Sequence, residues 1–98
     1  MTAANGSRGE AEIAGYKLRP TFAALAAAEE ELGPLFALVE RAAAGELRMA
    51  EMVALFWHCR DGSIDAGRAE FSEIVAASGL ATATPALRIL IAQILGGR

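Results

Sequence analysis

The sequence predicts a mainly α-helical fold: a short N-terminal β-hairpin followed by about five short helices in one compact bundle. Three observations carry this. The chain has 98 residues, of which 54% are hydrophobic, but 23 of those are alanine and only 30 are larger apolar side chains. Alanine favours helices and is depleted in strands. The apolar period is two up to Leu18 and helical from Thr21 onward. Glycine and proline then interrupt the helical pattern often enough to leave only short segments.

Residues 1–7 (MTAANGS) are small and polar and predict a flexible start, leaving 8–98 as a single domain. Over Glu10–Leu18, Ala11 and Ile13 fall on one side and Glu12 on the other; Ala14-Gly15 breaks the run, and Tyr16 and Leu18 continue an apolar face around Lys17. That is a hairpin, and two strands this short must pack on helices to persist.

Thr21 can cap a first helix beginning at Phe22, with Phe22, Leu25, Glu29 and Leu32 at helical spacing. Gly33-Pro34 ends it, and Pro34 fits the first turn of a second helix with the stripe Leu35, Leu38, Val39 and Ala42, closed by Gly45. A third helix runs from about Met49 to Arg60, with Met49, Met52, Val53, Phe56 and Trp57 on one face. Asp61-Gly62-Ser63 reads as a turn and Asp65 as the cap of a fourth helix carrying Phe71, Ile74, Val75 and Ser78. Gly79 stops that helix. Thr82 or Thr84 is expected to cap the last one, with Pro85 in its first turn, Leu87, Leu90, Ile91 and Ile94 on its core face, and Gly96-Gly97 at its end.

Charge narrows the function classes. Nine basic against 12 acidic residues give −3 and a pI near 5.1, which disfavours a nucleic-acid binder or a polybasic membrane tether. A helix-turn-helix around Asp61–Ser63 would offer Arg68 alone against Glu70 and Glu73, a poor face for phosphates. No run approaches the roughly 18 apolar residues of a membrane span, and the first residues lack the apolar core of a signal peptide. Cys59 is the only cysteine, so neither an internal disulfide nor a cysteine zinc cluster can form. A cytoplasmic, unanchored protein is expected.

Chemistry-bearing patterns are few. His58 and Cys59 are adjacent and would point about 100° apart on a helix, so they neither converge on a metal nor form a nucleophile pair. They read as a rim histidine beside a buried cysteine. From Asp61, a calcium loop would need glycine at its sixth position and glutamate at its twelfth; those are Ala66 and Ser72, and Gly67 and Glu73 come one place late. Calcium is rejected. Glu29-Glu30-Glu31 sits at the helix end that prefers positive charge, and reads as a solvated face compensated by salt bridges or as a contact for an arginine-rich partner. No cofactor site and no catalytic residue is nominated, and a non-enzymatic protein is expected.

Two apolar features exceed one helical stripe. Leu55, Phe56 and Trp57 stand in succession, and Leu87–Leu95 carries only Arg88 and Gln93 as polar residues. A helix apolar around most of its circumference needs burial on most sides. In a domain this small, part of that surface can be covered by another chain.

The order of motifs resembles the gene transfer agent family, small phage-like tail assembly chaperones. The residues that carry the resemblance are Arg8-Gly-Glu10, the hairpin, Leu18-Arg-Pro-Thr21-Phe22-Ala-Ala-Leu25 with Glu29, Ala44-Gly-Glu-Leu47, and Met52-Val-Ala-Leu55 through His58, followed by an apolar C-terminal helix. It covers about Arg8 to Leu95. Ala14-Gly15 replaces a frequent Asp-Gly, and Ala23 stands where glycine is frequent. The resemblance implies a chaperone that coats the helical tape-measure protein. Apart from it, a homo-oligomer is a further expected partner state. Leu55, Phe56, Trp57, Ile89 and Ile91 are then the expected contact residues. A small helical adaptor or regulator of another protein is the alternative.

Overall fold

In the computed structural model, which describes residues 11–61 and 67–96, the chain opens with strands β1 (Ala11–Ile13) and β2 (Tyr16–Leu18). Five helices follow among the described residues: α1 (Phe22–Leu32), α2 (Leu35–Ala43), α3 (Met49–Cys59), α4 (Arg68–Ser78) and α5 (Leu80–Gly96). The predicted fold class is the observed one. The expected flexible start at 1–7, most of the Asp61–Ser63 turn and the Asp65 cap lie outside the described residues; the described helix α4 is entered through Gly67.

β1 and β2 pair antiparallel, Ala11 with Leu18 and Ile13 with Tyr16, across Ala14 and Gly15 at φ +53° and +88°. Two successive positive φ values make the type of turn that matches strand twist. Ala11, Ile13 and Leu18 are buried. The hairpin is held on both flanks: β1 packs on α5, and β2 meets the chain leaving α3. There Arg19 N–H donates to Cys59 O (2.7 Å), Asp61 N–H donates to Lys17 O (2.8 Å), and Leu18 bridges Arg60. An Arg19–Asp61 ion pair at 3.2 Å fastens the same joint.

Thr21 caps α1 as its sequence predicts, its hydroxyl oxygen accepting from Ala24 N–H at 3.1 Å. Pro34 sits one place earlier than expected, as the cap of α2 rather than within its first turn. Its extended ψ still leaves its carbonyl to accept the first intrahelical bond, from Leu38 N–H. The C-terminus of α2 is a Schellman motif: Gly45, at φ +77°, donates to Ala42 O, and Glu46 N–H donates to Arg41 O.

The last helix corrects the expectation from sequence. It begins at Leu80, directly after Gly79, so Thr82 and Thr84 are not caps and Pro85 lies inside the helix. The chain reverses at Gly79, whose carbonyl accepts from both Thr82 and Ala83 N–H, and the helix starts at once. Thr84 hydroxyl donates to Leu80 O (2.7 Å) within the first turns.

The core is organised around α3. Met52, Val53, Ala54, Leu55, Phe56 and Cys59 are all buried, with α1 on one side and α4 on another. Phe71 of α4 is fully buried and meets Tyr16 edge-on (5.3 Å between centroids) and Trp57 (5.6 Å). α1 buries only Ala28, and α5 buries Ala83, Ala86 and Leu90. Alanine at these seams lets the elements approach closely.

An L-residue at positive φ carries a cost that asparagine, enriched at the first position of this turn, reduces. Ala14→Asn should therefore raise stability by about 1 kcal/mol, read as a higher melting temperature by circular dichroism.

Candidate functional site

Three groupings of side chains could serve a function. The first lies at the α1, α3 and α4 ends. Glu31 accepts from His58 Nε2 (2.8 Å) and from Arg68 Nη2, joining three helices through one carboxylate. Arg68 foremost, then His58, holds the Glu31 pKa down to about 2 from an ordinary 4.5. Glu29 plays a separate part, since its Oε2 accepts from Leu35 N–H (3.0 Å) at the start of α2. Two members of the acidic run are thus committed within the chain.

The second is the His58-Cys59 pair. His58 points to Glu31, while Cys59 is buried, and burial pushes its thiol up to about 12. A thiol held protonated in this way is a poor nucleophile and a poor metal ligand. Among the described residues no group of three or more His, Cys, Asp or Glu side chains could hold a metal ion.

The third is an apolar groove of about 640 Å³ between α2, the segment leading into α3, and the outer face of α5. Ala42, Ala43 and Gly45 form one wall; Leu47, Met49 and Met52 form the floor; Leu80, Thr84, Leu87, Arg88, Ile91 and Leu95 form the other wall. The Schellman turn positions the first wall, since Gly45 lets the chain double back from α2 toward Leu47. The second wall is one helical stripe: steps of three and four from Leu80 to Leu95 repeat on one side of α5. It lies apart from the face that buries Ala83, Ala86 and Leu90. Met49, Leu80 and Leu95 are 47%, 60% and 67% exposed, so the groove is open. Methionine in the floor suits a surface that adapts to its occupant. Arg41 of α2 pairs with Glu51 of α3 (2.7 Å), and Glu51 also accepts from Arg48 N–H, fixing the two helices that frame the groove.

The expected contact residues separate sharply. Leu55 and Phe56 have no exposed surface and belong to the core, because α3 is covered on nearly every side. Trp57 is half-buried, with the Arg60 guanidinium 3.4 Å over its ring and Phe71 beside it. Ile89 packs partly buried against the core. Ile91 alone of the five lines the groove. Leu47, Met49, Leu80, Leu87 and Leu95 join it there; the sequence places Met49 and Leu87 on apolar core faces and marks none of the five as a contact. The spacing Leu80, Thr84, Leu87, Ile91, Leu95 was the available signal, and it is visible only when the helix starts at Leu80.

No single helix among the described residues is long and apolar enough to cross a membrane. A family model described as "Phage tail tube protein, GTA-gp10" matches residues 9–97. No curated protein and no solved structure matches the chain.

These placements have measurable consequences. Phe56→Ala should cost about 3–5 kcal/mol of stability in denaturant titration, the loss expected of a fully buried ring rather than of a surface contact. The lowered pKa of Glu31 means that its pairing stabilises the fold above about pH 4.5 and is lost as pH falls through about 2. Wild type should then exceed Glu31→Gln in melting temperature at pH 6, and the two should converge near pH 2. The gap should be small, because solvent screens a pair this exposed.

Proposed function

The chain belongs to the phage tail tube protein, GTA-gp10 family, and from that premise we propose that it is a non-enzymatic tail assembly chaperone of a gene transfer agent or prophage-like particle. It acts in the cytoplasm and binds the tape-measure protein while the tail is built. The observation that carries this reading is the open groove along α5. A groove lined by leucine, isoleucine and methionine, with leucines at both ends largely exposed, suits an amphipathic helix whose apolar residues recur at i, i+3 or i+4, and i+7.

The physics of tail assembly matches. A long amphipathic tape-measure helix without partners aggregates through its apolar stripe, and shallow grooves on many copies would cover it segment by segment. Each contact must be weak enough to give way when tube subunits polymerise around the same helix. A groove whose one charged lining residue is Arg88 fits a binder held chiefly by apolar area.

The family's description also supports a second reading, in which this chain is itself a subunit of the tail tube. The two differ in where the protein ends up. A chaperone leaves before the particle is complete; a tube subunit remains in it. Quantitative mass spectrometry of purified particles against the producing cells distinguishes them.

The direct test uses the purified chain and a soluble tape-measure fragment in light scattering and calorimetry. Wild type should bind and keep the fragment dispersed. Ile91→Glu, folded by circular dichroism, should weaken binding by about tenfold or more. A folded Ile91→Glu chain that binds as well as wild type overturns the groove as the site, and a wild-type chain indifferent to the fragment overturns the chaperone reading.

A further inference from the structure

Two phenylalanines stand almost wholly in solvent, Phe22 at 87% and Phe36 at 86% exposure. An aromatic ring left in water on a helix forgoes the burial that its area would gain elsewhere. Phe36 lies near the start of α2, and Glu40 lies one turn further along the same outer face, also exposed. The neighbours between them, Leu38 and Val39, are buried and hold this face outward. Among the described residues, the Glu40 carboxylate has no ion-pair partner.

The groove is the complement of this face. It is apolar, it is open, and its one charged lining residue, Arg88, also has no ion-pair partner among the described residues. We propose that Phe36 of one copy of this chain seats in the α5 groove of a second copy, with Glu40 meeting Arg88. The ring would rest against Leu87 and Ile91, and the carboxylate one helical turn away would reach the guanidinium beside them. Phe22 does not offer the same match: its neighbour one turn on is Ala26, and Glu29 is already bonded to Leu35 N–H.

Because ring and groove are different patches of one surface, the contact is heterologous. It repeats from copy to copy as a closed ring or an open chain. The contact is small, one side chain and one turn of helix, and it is therefore weak and seen at high concentration. It stands independently of the tape-measure reading, though a helix lying in the groove would displace Phe36 and disperse the assembly.

The test is sedimentation velocity of the purified chain over a concentration series, with each variant checked for folding by circular dichroism. Wild type should show mass rising with concentration. Phe36→Ser, Arg88→Glu and Glu40→Arg should each weaken association by about tenfold or more, and the double variant Arg88→Glu/Glu40→Arg should recover it. Mixing Phe36→Ser, which keeps its groove, with Arg88→Glu, which keeps its ring, should give a pair that grows no further. Phe22→Ser should behave as wild type. A wild-type chain that stays monomeric throughout overturns the proposal. So does association that survives Phe36→Ser and Arg88→Glu, or that is lost in Phe22→Ser instead, since another surface then holds the copies together.

Discussion

Everything in this fold is arranged around one buried helix. Six of the eleven residues of α3 are buried, in a run broken only at Trp57 and His58. A helix this enclosed must be covered from several directions. α1 lies against it, α4 brings Phe71 to it, and the strand β2 is stitched to its C-terminal exit at Cys59, Arg60 and Asp61. The chain is short, so the elements that enclose α3 are the same ones available for everything else.

The consequence reaches α5. With α3 already surrounded, the last helix contributes its small residues to the interior, Ala83 and Ala86 with Leu90, and packs on β1. Its larger residues on the other side, Leu87, Ile91 and Leu95, are left to form a groove with the end of α2 and the entry to α3. An apolar surface of this kind is kept where a partner covers it. The polar links that frame it are modest individually. Arg41–Glu51 and the Glu31 junction are partly exposed pairs whose value is chiefly geometric, holding helix ends in register.

Much of this was legible in the residues. The change of period after Leu18, the Thr21 cap, and the breaks at Gly33-Pro34, Gly45 and Gly79 place the hairpin and helices closely. Other features were hidden for physical reasons. Ranking helix faces by bulk mislabels α5, because two of its three buried residues are alanines, with Leu90 the one large member, while Leu87, Ile91 and Leu95 line the groove. Reading Thr82 or Thr84 as a cap conceals Leu80, the first member of the outward stripe. Leu55 and Phe56 look like surplus apolar surface until α1 and α4 are seen packing against α3 from two sides, contacts that span elements apart in sequence. The roles of Glu29 and Glu31 depend on Leu35, His58 and Arg68, and only His58 and Arg68 are far enough away to be wholly invisible to local pattern.

In the function we propose, the outward stripe of α5 is the working surface, and one direct measurement tests that claim. It is methyl nuclear magnetic resonance of the labelled chain at low concentration, titrated with a soluble tape-measure fragment. Shifts should concentrate at the methyl groups of Met49, Leu80, Leu87, Ile91 and Leu95, while those of Leu55 and Val75 stay in place. Shifts centred on the core methyls, or on a face that excludes Leu87 and Ile91, would contradict it.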